Sequence, residues 1–137
     1  MKIVIVGGVA GGATAAARIR RLNEHAEIII FERSGFISYA NCGLPYYIGG
    51  VIEDKEDLTL QTPESFFRRF RIIAKVNHEV TDIELKNKTV HVTDLKTGMS
   101  FAETYDKLIL SPGAKPILPD FYIENERTFT LRTVEDT

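Results

Sequence analysis

Cys42 is the only cysteine among the 137 residues, and it stands about ten residues beyond Glu32, an acidic residue closing an apolar run. Upstream of that run lies a glycine-rich hexapeptide, Gly7-Gly8-Val9-Ala10-Gly11-Gly12. In such a loop between a strand and a helix, backbone N–H groups and the helix N-terminus can hold a pyrophosphate. Gly7 would allow the tight turn, and Gly12 the close approach of helix to strand. Val9 occupies the usual place of the middle glycine, while Gly8 and Gly11 keep the backbone free. A carboxylate at the distance of Glu32 binds the ribose hydroxyls of a dinucleotide. FAD and NAD share this fingerprint, and Glu32 alone does not separate them. Arg33 pairs with a phosphate or is simply solvated.

A lone cysteine is most often a small buried hydrophobe. The surroundings of this one, Ser38-Tyr39-Ala40-Asn41-Cys42-Gly43-Leu44-Pro45-Tyr46-Tyr47, point instead to redox chemistry beside the bound cofactor. Gly43 permits close backbone approach, and Ser38 and Asn41 offer donors to a substrate or to a sulfur anion. If Cys42 caps or precedes a short helix, the helix dipole favours the thiolate, the form that attacks a disulfide. Thr14, Arg18 and Arg21 fall at i, i+4 and i+7, so they share a helix face beginning beside the phosphate loop and suited to a phosphorylated substrate. Arg20 points elsewhere. Arg68, Arg69 and Arg71 form a second basic cluster split between helix and strand. His25, His78 and His91 are scattered without the spacing of zinc ligands.

The elements that must position these residues follow from the apolar pattern. Lys2–Val6 is a short β-branched run stopping at Gly7, Ala10–Leu22 is an alanine-rich helix, and 27–31 is a second buried strand. Strand, glycine turn, helix and strand open a parallel doubly wound sheet. Residues 35–50 read as a loop with a short helix near Leu44–Ile48. Pro63–Phe70 reads as a helix with Thr62 as N-cap and Pro63 at its first position, followed by a third parallel strand over 72–75. Segments 78–85, 89–93 and Ser100–Thr104 form an antiparallel meander. Lys107–Leu110 returns as an apolar strand ending in Ser111-Pro112-Gly113-Ala114 at the ligand side of the sheet. Residues 116–126 read as a connector, and 128–132 as one more strand. The fold class expected is α/β, a Rossmann-like parallel sheet with an antiparallel β-meander.

A composition 44% hydrophobic and 26% charged suits a folded domain with one core. Seventeen basic and nineteen acidic residues, net charge -2, supply no general field for nucleic acid or an anionic membrane. With a strand from Lys2 leaving no room for an export leader, and a lone thiol suited to a reducing compartment, the expected location is cytoplasmic. Glu135-Asp136-Thr137 ends without a stop in the pattern, which suggests the front portion of a longer protein.

Four stretches carry a resemblance to the flavin-dependent pyridine nucleotide-disulfide oxidoreductases, in the branch of coenzyme A-disulfide reductases, coenzyme A persulfide reductases and NADH oxidases. They are the phosphate loop with Ile5-Val6, Phe31-Glu32-Arg33, the thiol loop from Ser38 to Gly49, and Leu108-Ile109-Leu110-Ser111-Pro112-Gly113-Ala114. The thiol loop is the most specific, because the wider family more often uses two cysteines separated by four residues. The resemblance implies FAD held by Gly7, Gly8, Val9, Ala10, Gly11, Gly12, Glu32 and Arg33, with Asn41 and Cys42 near the flavin. It implies that Val80 contacts the adenine side through its backbone, that Ser111, Pro112 and Gly113 approach the cofactor, and that Leu131-Arg132 returns to the flavin. It places Thr14, Arg18, Arg21, Ser38 and Asn41 around a coenzyme A arm. Phe70 stands where a basic residue is sometimes found, so a phosphate contact from that helix falls to a neighbouring arginine. The implied activity is reduction of coenzyme A disulfide or persulfide by NAD(P)H through FAD and Cys42, in a homodimer. The oxidase branch would instead cycle Cys42 through a sulfenic acid, and a non-catalytic redox-sensing module is the reading of a different class. The family's nicotinamide-binding and dimerisation domains are not visible in residues 1–137, so this portion alone is expected to be inactive and to hold flavin weakly.

Overall fold

The computed structural model describes residues 1–121 and 125–137. Strands β1 (Lys2–Val6), β2 (Glu27–Glu32), β3 (Ile73–Val76) and β7 (Lys107–Leu110) form a parallel sheet in the order β3-β2-β1-β7. Strands β4 (His78–Glu84), β5 (Thr89–Asp94) and β6 (Ser100–Thr104) form a separate antiparallel sheet, with an irregularity between Val80 and Asp82. Helices α1 (Ala10–Leu22), α2 (Leu44–Ile48) and α3 (Pro63–Phe70) complete the elements used below.

Both faces of the parallel sheet are covered, which is why β1 and β2 read as unbroken Ile and Val runs. Ile3, Ile5, Ile28 and Ile30 face Ala13 and Ala16 of α1 and Phe66 of α3. The alternate residues Val4, Ile29 and Phe31 face Val90, Val92 and Tyr105 of the meander side. Each fully buried Ile or Val contributes about 1.5–3 kcal/mol. A third, smaller core of Tyr39, Leu44, Leu58 and Val134 lies under the cysteine loop.

The N-terminus of α3 forms as its sequence implies: Thr62 and Ser65 cap each other reciprocally, and Pro63 opens the helix. Arg71 then takes the left-handed conformation at φ 51°, so β3 begins at Ile73 rather than 72. The strand expected over 128–132 does not form. Its backbone is engaged locally: Arg132 and Thr133 both donate to Asp136 Oδ2 at 2.7 Å, and Thr128 donates to the Asn125 carbonyl. The connector expected over 116–126 falls partly on residues 122–124, which lie outside the described residues. Among the described residues, no helix is long and apolar enough to cross a membrane.

Candidate functional site

The glycine loop is shaped by contact with β7. Gly7 has φ +95°, donates to the Phe31 carbonyl at 2.8 Å, and lies so close to the next loop that a Cβ would stand 2.0 Å from the Ser111 carbonyl oxygen. A Cβ on Gly12 would stand 1.8 Å from the Gly7 carbonyl oxygen. Val9 has φ -90°, a sign that a β-branched residue accepts, so a side chain is tolerated where the usual pattern has glycine. Val9 provides α1 with no side-chain cap, and no acidic residue occupies the first turn. The positive end of this 13-residue helix therefore faces the loop with neither a capping side chain nor an acidic residue of its own first turn.

Glu32 is only 7% exposed. Its Oε2 accepts from the Gly8 N–H at 2.7 Å and its Oε1 from the Ser34 N–H at 2.8 Å. This carboxylate therefore braces the phosphate loop from within, beyond the ribose role expected of it. Each oxygen retains acceptor capacity toward a ligand. A cleft of about 150 Å³ brings together Val9, Ala10, Gly11, Glu32, Arg33, Asn41, Ser111, Pro112, Gly113 and Arg132. A second cleft of about 250 Å³, lined also by Gly7, Val80, His78 and Glu79, shares Glu32, Arg33 and Pro112 with the first. Gly8 and Gly12 are buried behind these surfaces.

The cysteine loop is tied to the phosphate loop through its backbone. Ser38, at φ 49°, donates to the Gly8 carbonyl at 2.9 Å, and its own carbonyl accepts from Leu60. Tyr39 pairs with Thr59 in an isolated antiparallel bridge. Asn41–Gly43 forms one 3₁₀ turn running directly into α2, so Cys42 precedes the short helix. A Cβ on Gly43 would meet Leu58 at 2.8 Å, so the turn sits hard on its small core. Cys42 is exposed, and it lines none of these clefts, whereas its neighbour Asn41 lines the first. Asn41 Oδ1 is buried without a hydrogen-bond partner among the described residues, a polar atom that a ligand in that cleft can satisfy.

On the other side of the loop, Thr14, Arg21 and Ser38 line a groove of about 490 Å³. Arg18 is exposed but does not line it. Arg69, a neighbour of Phe70 in the second basic cluster, lines it too, and the residues not anticipated are Gln61, Phe66 and Tyr39. Tyr39 lines both this groove and the first cleft. Its place beside Ser38 was the only signal in the sequence. Burial pushes the Tyr39 phenol above its ordinary value, as do the carboxylates of Glu32 and Glu135, with Arg132 opposing them. It therefore carries its proton at neutral pH and can donate a hydrogen bond. A roomier groove of about 700 Å³, against Phe36, Thr62 and Val76, carries none of the candidate residues.

The residues fit a flavin dinucleotide: an uncapped helix end for the diphosphate, Glu32 for the ribose, and an unsatisfied Asn41 oxygen near the thiol. The family model described as pyridine nucleotide-disulphide oxidoreductase matches residues 1–137. The coenzyme A disulfide reductase of Staphylococcus aureus strain JH9 is 52% identical over 136 residues, covering 99% of this chain and 31% of that protein. The crystal structure of reduced Bacillus anthracis CoADR-RHD superposes with TM-score 0.94 at 52% identity, over 98% of this chain and 25% of that one. An NAD-dependent persulfide reductase from A. fulgidus gives TM-score 0.93 at 32% identity, over 99% and 26%. The chain thus spans less than a third of the length of these relatives. Matched along its whole length and built on a Rossmann-like parallel sheet, the chain belongs to the pyridine nucleotide-disulphide oxidoreductase family.

Proposed function

We propose that this chain is the N-terminal part of the FAD-binding domain of a cytoplasmic, homodimeric NAD(P)H oxidoreductase that reduces coenzyme A disulfide or coenzyme A persulfide through Cys42. The observation that carries this reading is the position of the cysteine turn. Asn41 lines the cleft suited to FAD, Ser38 lines the basic groove, and Tyr39 lines both. The high identity to a coenzyme A disulfide reductase supports the disulfide as first choice of substrate. The likeness to a persulfide reductase keeps the persulfide as the second.

Bound FAD supplies two-electron transfer between NAD(P)H and the thiol. The chain's own residues do the rest. The Cys42 thiolate attacks one sulfur of coenzyme A disulfide; the S–S bond breaks, one coenzyme A leaves as thiolate and takes a proton, and Cys42 is held as the mixed disulfide. Two electrons and a proton then restore the Cys42 thiolate and release the second coenzyme A. A persulfide instead passes its outer sulfur to Cys42 and leaves as coenzyme A, and two electrons release that sulfur as sulfide. Glu32, Gly7 and Gly12 keep the phosphate loop rigid, and Tyr39 and Asn41 hold the boundary between cofactor and substrate.

The test is anaerobic NAD(P)H oxidation by the full-length flavoprotein with coenzyme A disulfide, coenzyme A persulfide or peroxide. Turnover with a coenzyme A substrate is expected, and Cys42→Ser should lower it by on the order of a thousandfold or more. Activity with peroxide or oxygen alone would move the protein to the oxidase branch. A Cys42→Ser variant with undiminished turnover would overturn the role of the thiol.

A further inference from the structure

Tyr39 is held through its backbone and left unpaired at its tip. On one side the Ser38 carbonyl accepts from the Leu60 N–H at 3.1 Å, and on the other the Ala40 N–H donates to the Leu58 carbonyl at 2.8 Å. Tyr39 itself bridges to Thr59, so three consecutive residues lie against segment 58–60. The ring packs with Leu44, Leu58 and Val134, and the residue is only 7% exposed. Its hydroxyl nevertheless has no hydrogen-bond partner among the described residues. A phenol buried to that degree ordinarily finds one.

The charges around the hydroxyl show which way it faces. Burial raises the phenol, and after burial the groups that act on it are Glu32, Glu135, Arg132 and Asp136. Glu32 and Arg132 are walls of the cleft of about 150 Å³, Asp136 holds the Arg132 and Thr133 amides at its rim, and none of the four lines the groove that Thr14 and Arg21 share. The nearby carboxylates accept from backbone instead: Glu32 from the Gly8 and Ser34 N–H groups, Glu135 from that of Gly35 at 2.7 Å. The phenol is therefore a donor in the cofactor cleft that no described residue receives. Asn41, two residues on, brings to the same cleft a buried acceptor, Oδ1, that lacks a donor among the described residues. A stranded donor and a stranded acceptor just before Cys42 suit a ligand that offers both, as the hydroxyl groups and phosphate oxygens of a dinucleotide do.

We infer that the Tyr39 hydroxyl donates a hydrogen bond to an oxygen of bound FAD, and that through this bond loading of the cofactor steadies the cysteine turn. The inference rests on the flavin reading. Only three residues separate Tyr39 from the thiol in sequence, and the Gly43 N–H closes the turn on the Ala40 carbonyl at 2.9 Å, so a fixed Tyr39 restrains the segment that carries Cys42.

The experiment uses the full-length protein stripped of FAD and reloaded, with flavin fluorescence reading the affinity. Tyr39→Phe keeps the ring and removes only the hydroxyl; it should raise the FAD dissociation constant about 5-fold, the loss of one hydrogen bond. The urea midpoint of stripped Tyr39→Phe should equal or exceed that of the stripped parent, because the hydroxyl has no partner there, whereas a merely structural role would lower it. Amide exchange at Gly43 should slow on loading in the parent and slow less in Tyr39→Phe. Tyr46→Phe, on a side chain 58% exposed and outside these clefts, should match the parent in all three measurements. Equal FAD affinity in Tyr39→Phe and the parent would overturn the inference, and so would a lowered midpoint of the stripped variant, equal slowing at Gly43 in both proteins, or equal weakening by Tyr46→Phe. Each of these results leaves the flavin reading intact. A parent protein purified without flavin and unable to take it up would overturn both.

Discussion

Gly11 and Gly12 are adjacent in the phosphate loop and do different things. A methyl group on Gly12 would run into the Gly7 backbone at 1.8 Å and into Ile5, neither of which can turn away. A methyl on Gly11 would meet only the Ser111 hydroxyl, at 2.5 Å, the end of a side chain free to choose another rotamer. Gly12→Ala is therefore expected to cost at least about 2 kcal/mol and to abolish flavin retention. Gly11→Ala should stay within about 1 kcal/mol of the parent, helped by the better helix propensity of alanine. Denaturant unfolding and the flavin-to-protein absorbance ratio of the two full-length variants check this; a Gly12→Ala protein as stable as Gly11→Ala would refute the close approach. The backbone demand at Gly7 and Gly12 was legible from the spacing. The bond from Glu32 to the Gly8 N–H was not, since a carboxylate at a strand end reads only as a ligand for ribose.

Among the elements, the contact between α1 and α3 depends on one side chain. Arg20 donates to the carbonyls of Phe70, Arg71, Asn23 and Glu24, gathering the unsatisfied ends of two segments into one guanidinium. Its sequence gave no sign of this, because α1 carries three arginines and only packing decides which one meets α3. Arg20→Ala should lower stability by about 1–3 kcal/mol, as carbonyls lose a charged donor. Urea unfolding of the full-length protein measures it, with Arg20→Lys expected to recover only part because an ammonium cannot span the same fork of acceptors. A loss within experimental error would show that water replaces the guanidinium at no cost. The strand expected over 128–132 failed at this scale too: its residues have strand character, but at its end the Arg132 amide is taken by Asp136 together with that of Thr133.

At the scale of the whole molecule, two carboxylate-held ties, one local at the C-terminal turn and one between β1 and the meander, respond oppositely to pH. The Asp136 carboxyl is held below its ordinary value by the N–H groups of Thr133 and Arg132, which keep Arg132 beside Ala114 and the cofactor cleft. A depressed carboxylate contributes stability above its ordinary value and loses it as pH falls through the lower folded value. Lys2 is raised above 10.5 chiefly by its hydrogen bond to Glu103, which joins β1 to the meander. That contribution is complete below 10.5 and fades only as pH rises through the raised value. Both ties are therefore intact at neutral pH. The amide resonances of Arg132 and Thr133 should shift together in acid with a midpoint below 3.8, the ordinary value for Asp136, and Asp136→Asn should remove the transition. Amide shifts that persist in Asp136→Asn would assign the transition to another group.

The sequence by itself determined the parallel sheet, the glycine turn, the N-cap of α3 and the identity of the one thiol. Each rests on local chemistry: apolar periodicity, a φ that only glycine reaches, a side chain bonding its own helix end. Tertiary structure alone decided that Tyr39 lines two clefts at once, that Glu32 braces the loop it faces, and that Arg21 and Arg69 border the groove while Arg18, Arg20 and Arg68 do not. Those outcomes depend on how helices rotate against a sheet and how the cysteine loop seats on Leu58 and Val134, contacts between residues far apart in the chain, for which spacing carries no code.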